Sequence, residues 1–192
     1  MIIYLHGFSS AAASHKAALL KQQFSQHKFL VPEYPSHQPE ASIRFLSEYI
    51  KQQVREHDNE QVMLIGSSLG GFYAQYLGVQ LEEVTSAVLI NPALQPQITL
   101  KPCVGRQINM LTGKAFIFRQ QDFNELQRFE VPTDDITVPT LVLLDKGDEV
   151  IDYHFVEEQY KNIGRIITYP GGSHRFDHLE EAMPEIEAFY TA

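Results

Sequence analysis

Tryptophan is absent from the 192 residues, and cysteine occurs once, at Cys103. A single thiol excludes an intrachain disulfide and any Cys cluster for zinc or an iron–sulfur centre, and it fits a reducing compartment. Basic residues are also scarce: 15 Lys and Arg stand against 24 Asp and Glu, a formal charge of −9. That deficit argues against a general binder of phosphate backbones, so nucleic acid is not an expected partner. No apolar run approaches the roughly 20 residues of a membrane-spanning helix. Met1-Ile-Ile-Tyr-Leu-His-Gly has no basic leader followed by an apolar stretch and a small-residue cleavage site. A cytoplasmic protein without a membrane span is expected. Internal repeats, low-complexity tracts and interdomain linkers are missing too, and the oligomeric state is not legible.

What is present is a globular balance, 44% hydrophobic and 20% charged, with 12 Phe and nine Tyr supplying bulk. The length suits one domain with one core. Short apolar runs recur at Ile2–Leu5, Phe29–Val31, Val62–Ile65, Ala87–Ile90, Thr140–Leu144 and Arg165–Tyr169. Most lack polar alternation, as strands buried on both faces do. Helical patterns lie between them: His15–Phe24, a segment opened by Pro39 with Ile43, Leu46, Ile50 and Val54 on one side, Leu69–Leu81, Tyr153–Tyr160 and Pro184–Tyr190. The alternation predicts an α/β fold, a mostly parallel sheet of about six strands with helices on both faces, whose ligands bind beyond the carboxyl ends of the strands. From Gln95 to about Ile136 no clear strand is legible. This stretch is too apolar for a solvated linker, and it reads either as a small cap over the strand ends or as a partly helical excursion covering the sheet.

Gly66-Ser67-Ser68-Leu69-Gly70 matches G-x-S-x-G between an apolar strand and a helical pattern. This is the tight turn that raises a serine hydroxyl above a sheet, with glycines where a side chain would collide. Ser68 is the candidate nucleophile; Ser67 lacks the glycine two places to either side. A serine needs a base and a carboxylate to orient that base, in the chain order Ser, acid, His. His154, His174 and His178 are the only histidines after Ser68. His174 follows the last strand in a Gly-Gly-Ser loop and is the expected base. His154 follows the wrong strand, and His178 is expected on a helix facing solvent. A His174/His178 metal pair has no accompanying ligand cluster, so neither metal nor cofactor is expected. For the acid, Asp148 in the loop after Thr140–Leu144 is preferred, Asp145 at the strand end is the rival, and Asp152 suits a helix cap. The amides of Phe8, after Gly7, and of Leu69 are the expected oxyanion donors. His6 is expected to brace its loop by hydrogen bonding.

Four stretches, "IIYLHGFSSA", "LIGSSLGGFYA", "KGDEVIDY" and "GGSHRF", occur in this order along nearly the whole chain. Together they resemble the small bacterial YqiA-like esterases of the α/β-hydrolase superfamily. One domain over 1–192 with 95–136 as cap is expected, and the resemblance implies Ser68 as nucleophile, His174 as base, Asp148 as acid, and Phe8 with Leu69 as oxyanion amides. It also implies cofactor-free hydrolysis of carboxylic esters or thioesters through an acyl-enzyme, and the apolar cap points to carboxylic esters with a short or medium acyl chain. Two alternatives stand beside it: hydrolysis of acyl-carrier thioesters by the same residues, and a noncatalytic binding or regulatory protein on a hydrolase scaffold.

Overall fold

Strands that are apolar on both faces are stable only in a sheet covered on both sides. The computed structural model describes residues 1–58 and 60–192 and contains such a sheet. Its strands are β1 (Ile2–Leu5), β2 (Phe29–Leu30), β3 (Val62–Ser67), β4 (Val84–Ile90), β7 (Thr140–Asp145) and β8 (Arg165–Tyr169). They lie in the order β2-β1-β3-β4-β7-β8, and every neighbouring pair is parallel. Alternate residues face opposite layers, as the two-residue period of a strand demands. Ile3, Leu5, Leu64, Leu89 and Val142 join one core with residues of α2 (Pro39–Glu56), α3 (Leu69–Gln80) and α6 (Tyr153–Tyr160). Ile2, Tyr4, Ile65, Val88 and Leu143 join the other with α1 (His15–Gln23) and α7 (Leu179–Tyr190).

The helix ends follow the local chemistry. Pro39 opens α2, where its missing N–H costs nothing. Asp152 accepts the amide of His154 at 3.0 Å and caps α6. The last helix departs from expectation: it begins at Leu179 and carries Pro184 in its interior. Burial of Leu179, Ala182, Met183 and Ile186 against the sheet outweighs the helix hydrogen bond that proline removes.

The connection between β4 and β7 also differs from the sequence reading, which found no strand there. It holds α4 (Pro96–Thr99), an antiparallel hairpin of β5 (Gly105–Ile108) and β6 (Ala115–Phe118), and α5 (Gln120–Glu125). Gly105–Ile108, with Arg106 and Gln107, lacks the apolar run by which the sheet strands were recognised, whereas Ala115–Phe118 has one but reads as part of the apolar excursion. Phe118, Leu126 and Phe129 from this excursion are buried in the same core as α2 and α3. Among the described residues no helix is long and apolar enough to cross a membrane.

Candidate active site

The strand order reverses direction between β1 and β3: β1 leads outward to β2, then the chain crosses to β3 and continues away. Loops leaving the carboxyl ends of these two strands diverge onto opposite layers and leave a crevice. Ser68 stands there, immediately after β3, with φ 54° and ψ −122°. That left-handed backbone is costly for a residue with a side chain and persists only where the surroundings enforce it. Here they do. The amide of Ser68 donates to the carbonyl of Ile90 at 3.0 Å, and its carbonyl accepts from Gly71 at 2.9 Å and Ala93 at 3.0 Å. A methyl group on Gly66 would lie 2.3 Å from the Gly70 carbonyl oxygen, and one on Gly70 would lie 2.1 Å from that of Leu5. Both glycines of the motif are therefore required by the closeness of the turn to its own helix and to β1.

The loop after β1 passes directly over the serine. A methyl on Gly7 would sit 3.1 Å from Ser68 Cβ and 3.6 Å from its Oγ. Phe8 follows, and its ring packs edge-on against Phe116 and Phe118 of the hairpin at 5.5 and 5.1 Å. Leu69 is the first residue of α3, so its amide has no partner within the helix. His6 Nδ1 donates to the Gly7 carbonyl at 3.0 Å, the expected brace. Burial pulls the pKa of His6 below its ordinary 6.5.

His174, in the loop between β8 and α7, brings Nε2 to 3.0 Å from Ser68 Oγ. Its Nδ1 lies 2.9 and 3.1 Å from the two carboxylate oxygens of Asp148. Asp148 Oδ1 also accepts the amides of Val150 and Ile151 at 2.8 Å each, which pins the carboxylate toward the imidazole. The amide of His174 in turn donates to Glu149 at 3.0 Å. A carboxylate at Nδ1 selects the tautomer with its proton there and leaves Nε2 as an acceptor facing the serine.

Asp145, the rival acid, faces elsewhere. Its side chain is fully buried and accepts from His178 Nδ1 at 2.7 Å, the amide of Asp177 at 2.7 Å and that of Ser173 at 3.2 Å. Asn91 completes the cluster: its Oδ1 accepts the Asp145 amide at 2.9 Å and its Nδ2 donates to the Ser173 carbonyl at 3.0 Å. Two aspartates three residues apart thus meet two histidines four residues apart, Asp148 with His174 and Asp145 with His178. The sequence reading left His178 facing solvent. Instead it is three-quarters buried and stacked on Tyr169 at 5.1 Å, because the loop folds it back over the strand end. Lys16 Nζ adds a strap from α1 to the Arg175 carbonyl at 2.8 Å. Burial, followed by Arg175, lowers this ammonium to about 8. His154, by contrast, is exposed beside Glu157.

A cavity of about 680 Å³ opens beyond Phe8, walled by Ser9 and Ser10, by Glu33 to His37, and by Asn109, Thr112 and Lys114 to Phe116 of the hairpin. Ser68 is not in its walls; Phe8 lies between the two in the chain, after Gly7 on the serine and before Ser9 on the cavity.

A six-stranded parallel sheet flanked by helices, with a serine on a strained strand-to-helix turn at the switch point, defines the α/β-hydrolase fold. Est1E from Butyrivibrio proteoclasticus superposes with a TM-score of 0.78 at 17% identity, covering 99% of this chain and 86% of that one. An esterase from Pyrococcus furiosus superposes with a TM-score of 0.73 at 16% identity, over 99% and 80% of the two chains. Residues 1–191 match the profile described as "Uncharacterised protein family (UPF0227)", and the chain belongs to that family. A UPF0227 protein of Shewanella woodyi is 28% identical over 191 residues, 98% of each chain. The resemblance to YqiA-like α/β-hydrolases therefore holds for both family and fold.

Proposed function

We propose that the protein is a serine esterase that cleaves small carboxylic esters through an acyl-Ser68 intermediate. The observation carrying this reading is the continuous chain from Ser68 Oγ to His174 Nε2 at 3.0 Å and from His174 Nδ1 to Asp148 at 2.9 Å. Ser68 Oγ attacks the ester carbonyl as its proton passes to Nε2, and Asp148 stabilises the resulting imidazolium. The amides of Phe8 and Leu69 receive the oxyanion. Collapse of the tetrahedral species breaks the carbon–oxygen bond, and His174 returns its proton to the leaving alcohol. Water then enters, gives a proton to His174 and attacks the acyl carbon, releasing the acid and restoring Ser68 Oγ–H.

Residues 95–136 act as a small cap, and the cavity beyond Phe8 holds the part of the substrate remote from the carbonyl, a short or medium chain. A thioester would follow the same steps with a thiol leaving, so relative rates on matched esters and thioesters distinguish the two substrates. A fluorophosphonate probe tests the reading directly. Wild type should be labelled, Ser68→Ala should not, and His174→Ala should be labelled far more slowly. Turnover of esters should fall about 10⁴–10⁶-fold in the serine variant. Ester hydrolysis that survives Ser68→Ala in purified protein would sink the proposal, and a well-folded wild type that neither labels nor turns over esters would favour the noncatalytic alternative.

A further inference from the structure

The β5–β6 hairpin buries one face and leaves the other without a partner. Arg106 pairs with Ile117 and Ile108 with Ala115, so these four side chains share the outer face, while Phe116 and Phe118 point inward to Phe8. Ile108 is 55% exposed and Ile117 62%, and at the turn Met110 is 84% and Leu111 47% exposed. The exposure is built in and does not come from a frayed tip. Met110 donates its amide to the Ser9 carbonyl at 3.0 Å, and Asn109 ties to the Ser10 carbonyl at 2.8 Å while accepting the amides of Leu111 and Thr112. Four large apolar side chains held out in water by a braced turn mark an interaction surface.

The charge around them identifies its partner. Between Glu83 and Asp122 the sequence has no acidic residue, yet it has Lys101, Arg106, Lys114 and Arg119. All four are exposed, and none is in an ion pair among the described residues. The rest of the chain carries the other 11 Lys and Arg against all 24 Asp and Glu, a formal −13. A negative surface would repel most of the molecule and attract the hairpin through Arg106 and Lys114, with Lys101 and Arg119 flanking it in sequence, and the apolar side chains could then enter below its charged layer. A second copy fits poorly, because it would set these cations against themselves.

We propose that the outer face of the β5–β6 hairpin, with Met110 and Leu111 at its tip, docks on an anionic lipid bilayer. The same turn gives Asn109, Thr112 and Lys114 to the wall of the cavity, so a docked hairpin holds that cavity at the lipid surface. Docking needs no catalysis, and its assay is independent of the hydrolytic reading.

The test is sedimentation with vesicles of phosphatidylcholine alone and of phosphatidylcholine with about 30% phosphatidylglycerol. Wild type should bind the anionic vesicles, bind neutral ones at least about 10-fold more weakly, and lose affinity as salt rises. Arg106→Gln and Lys114→Gln should each weaken binding about five-fold. Met110→Asp with Leu111→Asp should weaken it more than about 10-fold while leaving circular dichroism and turnover of a water-soluble ester unchanged. Equal binding by wild type and the tip variant, or no binding by folded wild type, overturns the proposal. A dimer in sedimentation equilibrium that the tip variant abolishes, with no vesicle binding, would assign the face to a second copy instead.

Discussion

Gly171 and Gly172 are adjacent, both have positive φ, +70° and +75°, and they differ in what surrounds them. A methyl on Gly171 meets nothing within 4 Å, whereas one on Gly172 would lie 2.0 Å from Asp145 Oδ2. Alanine at either position incurs the left-handed backbone cost, about 1–2 kcal/mol. At Gly172 it must also displace the buried Asp145 carboxylate from the amides of Ser173 and Asp177 and from His178. Leaving such groups unpaired adds about 1–3 kcal/mol. For a domain of this size 1 kcal/mol moves Tm by about 2–4 °C. Thermal unfolding should therefore place Gly172→Ala about 2–12 °C below Gly171→Ala. The loop that moves carries His174, and a misplacement near 1 Å costs roughly 10²-fold in rate, so fluorophosphonate labelling should slow by that factor in Gly172→Ala alone. Equal Tm and equal labelling in the two variants would refute the claim that Asp145 holds the histidine loop in place.

Other consequences are as specific. Asp148→Asn keeps an oxygen for the amides of Val150 and Ile151 but no longer selects the right His174 tautomer; ester kcat should drop about 10⁴-fold with Tm nearly unchanged. Gly7→Ala places a methyl 3.1 Å from Ser68 Cβ without demanding a left-handed backbone, so acylation should slow about 10-fold or more while stability changes by about 1 kcal/mol or less. His6 has its pKa lowered by burial, so below its ordinary 6.5 the unfolded chain binds more protons than the folded one. Stability should accordingly fall as pH drops through that value and level off below the folded pKa; urea unfolding at about pH 7 and about pH 5.5 should show the loss, and His6→Gln should reduce it.

The parts of the site that sequence made legible are those specified by local chemistry. Ser68 is marked by glycines at fixed local spacing, Gly66 required by its own turn and Gly70 by the approach of β1, and the six sheet strands are marked by apolar runs that both layers require. Asp152 is recognisable as a helix cap because the bond it makes spans two residues. What stayed hidden depends on long-range placement. Asp145 and His178 are 33 residues apart, and Asn91 lies 54 residues before Asp145, so no spacing rule singles them out as one buried cluster. Once one Asp–His pair is assigned at Asp148 and His174, however, the second at Asp145 and His178 shares its loops, a pattern that the sequence contained. The hairpin was missed because β5 mixes Gly105, Arg106 and Gln107 with a single large apolar residue, so Ala115–Phe118 had no legible partner strand.

The two Asp–His pairs divide one problem. Asp148 touches His174 itself and selects its tautomer, and His174 retains 24% exposure. An open residue on a loop containing two positive-φ glycines would ordinarily be mobile. Asp145 offsets that by burying its carboxylate completely and receiving three donors from the residues on either side of His174. A buried charge is tolerable only with such a set of partners, and here the partners are the loop itself. Rigidity around His174 and the setting of its tautomer thus come from different aspartates. Exchanging one function for the other, for instance by relying on Asp145 to rescue Asp148→Asn, should fail, because Asp145 has no free geometry with which to reach His174.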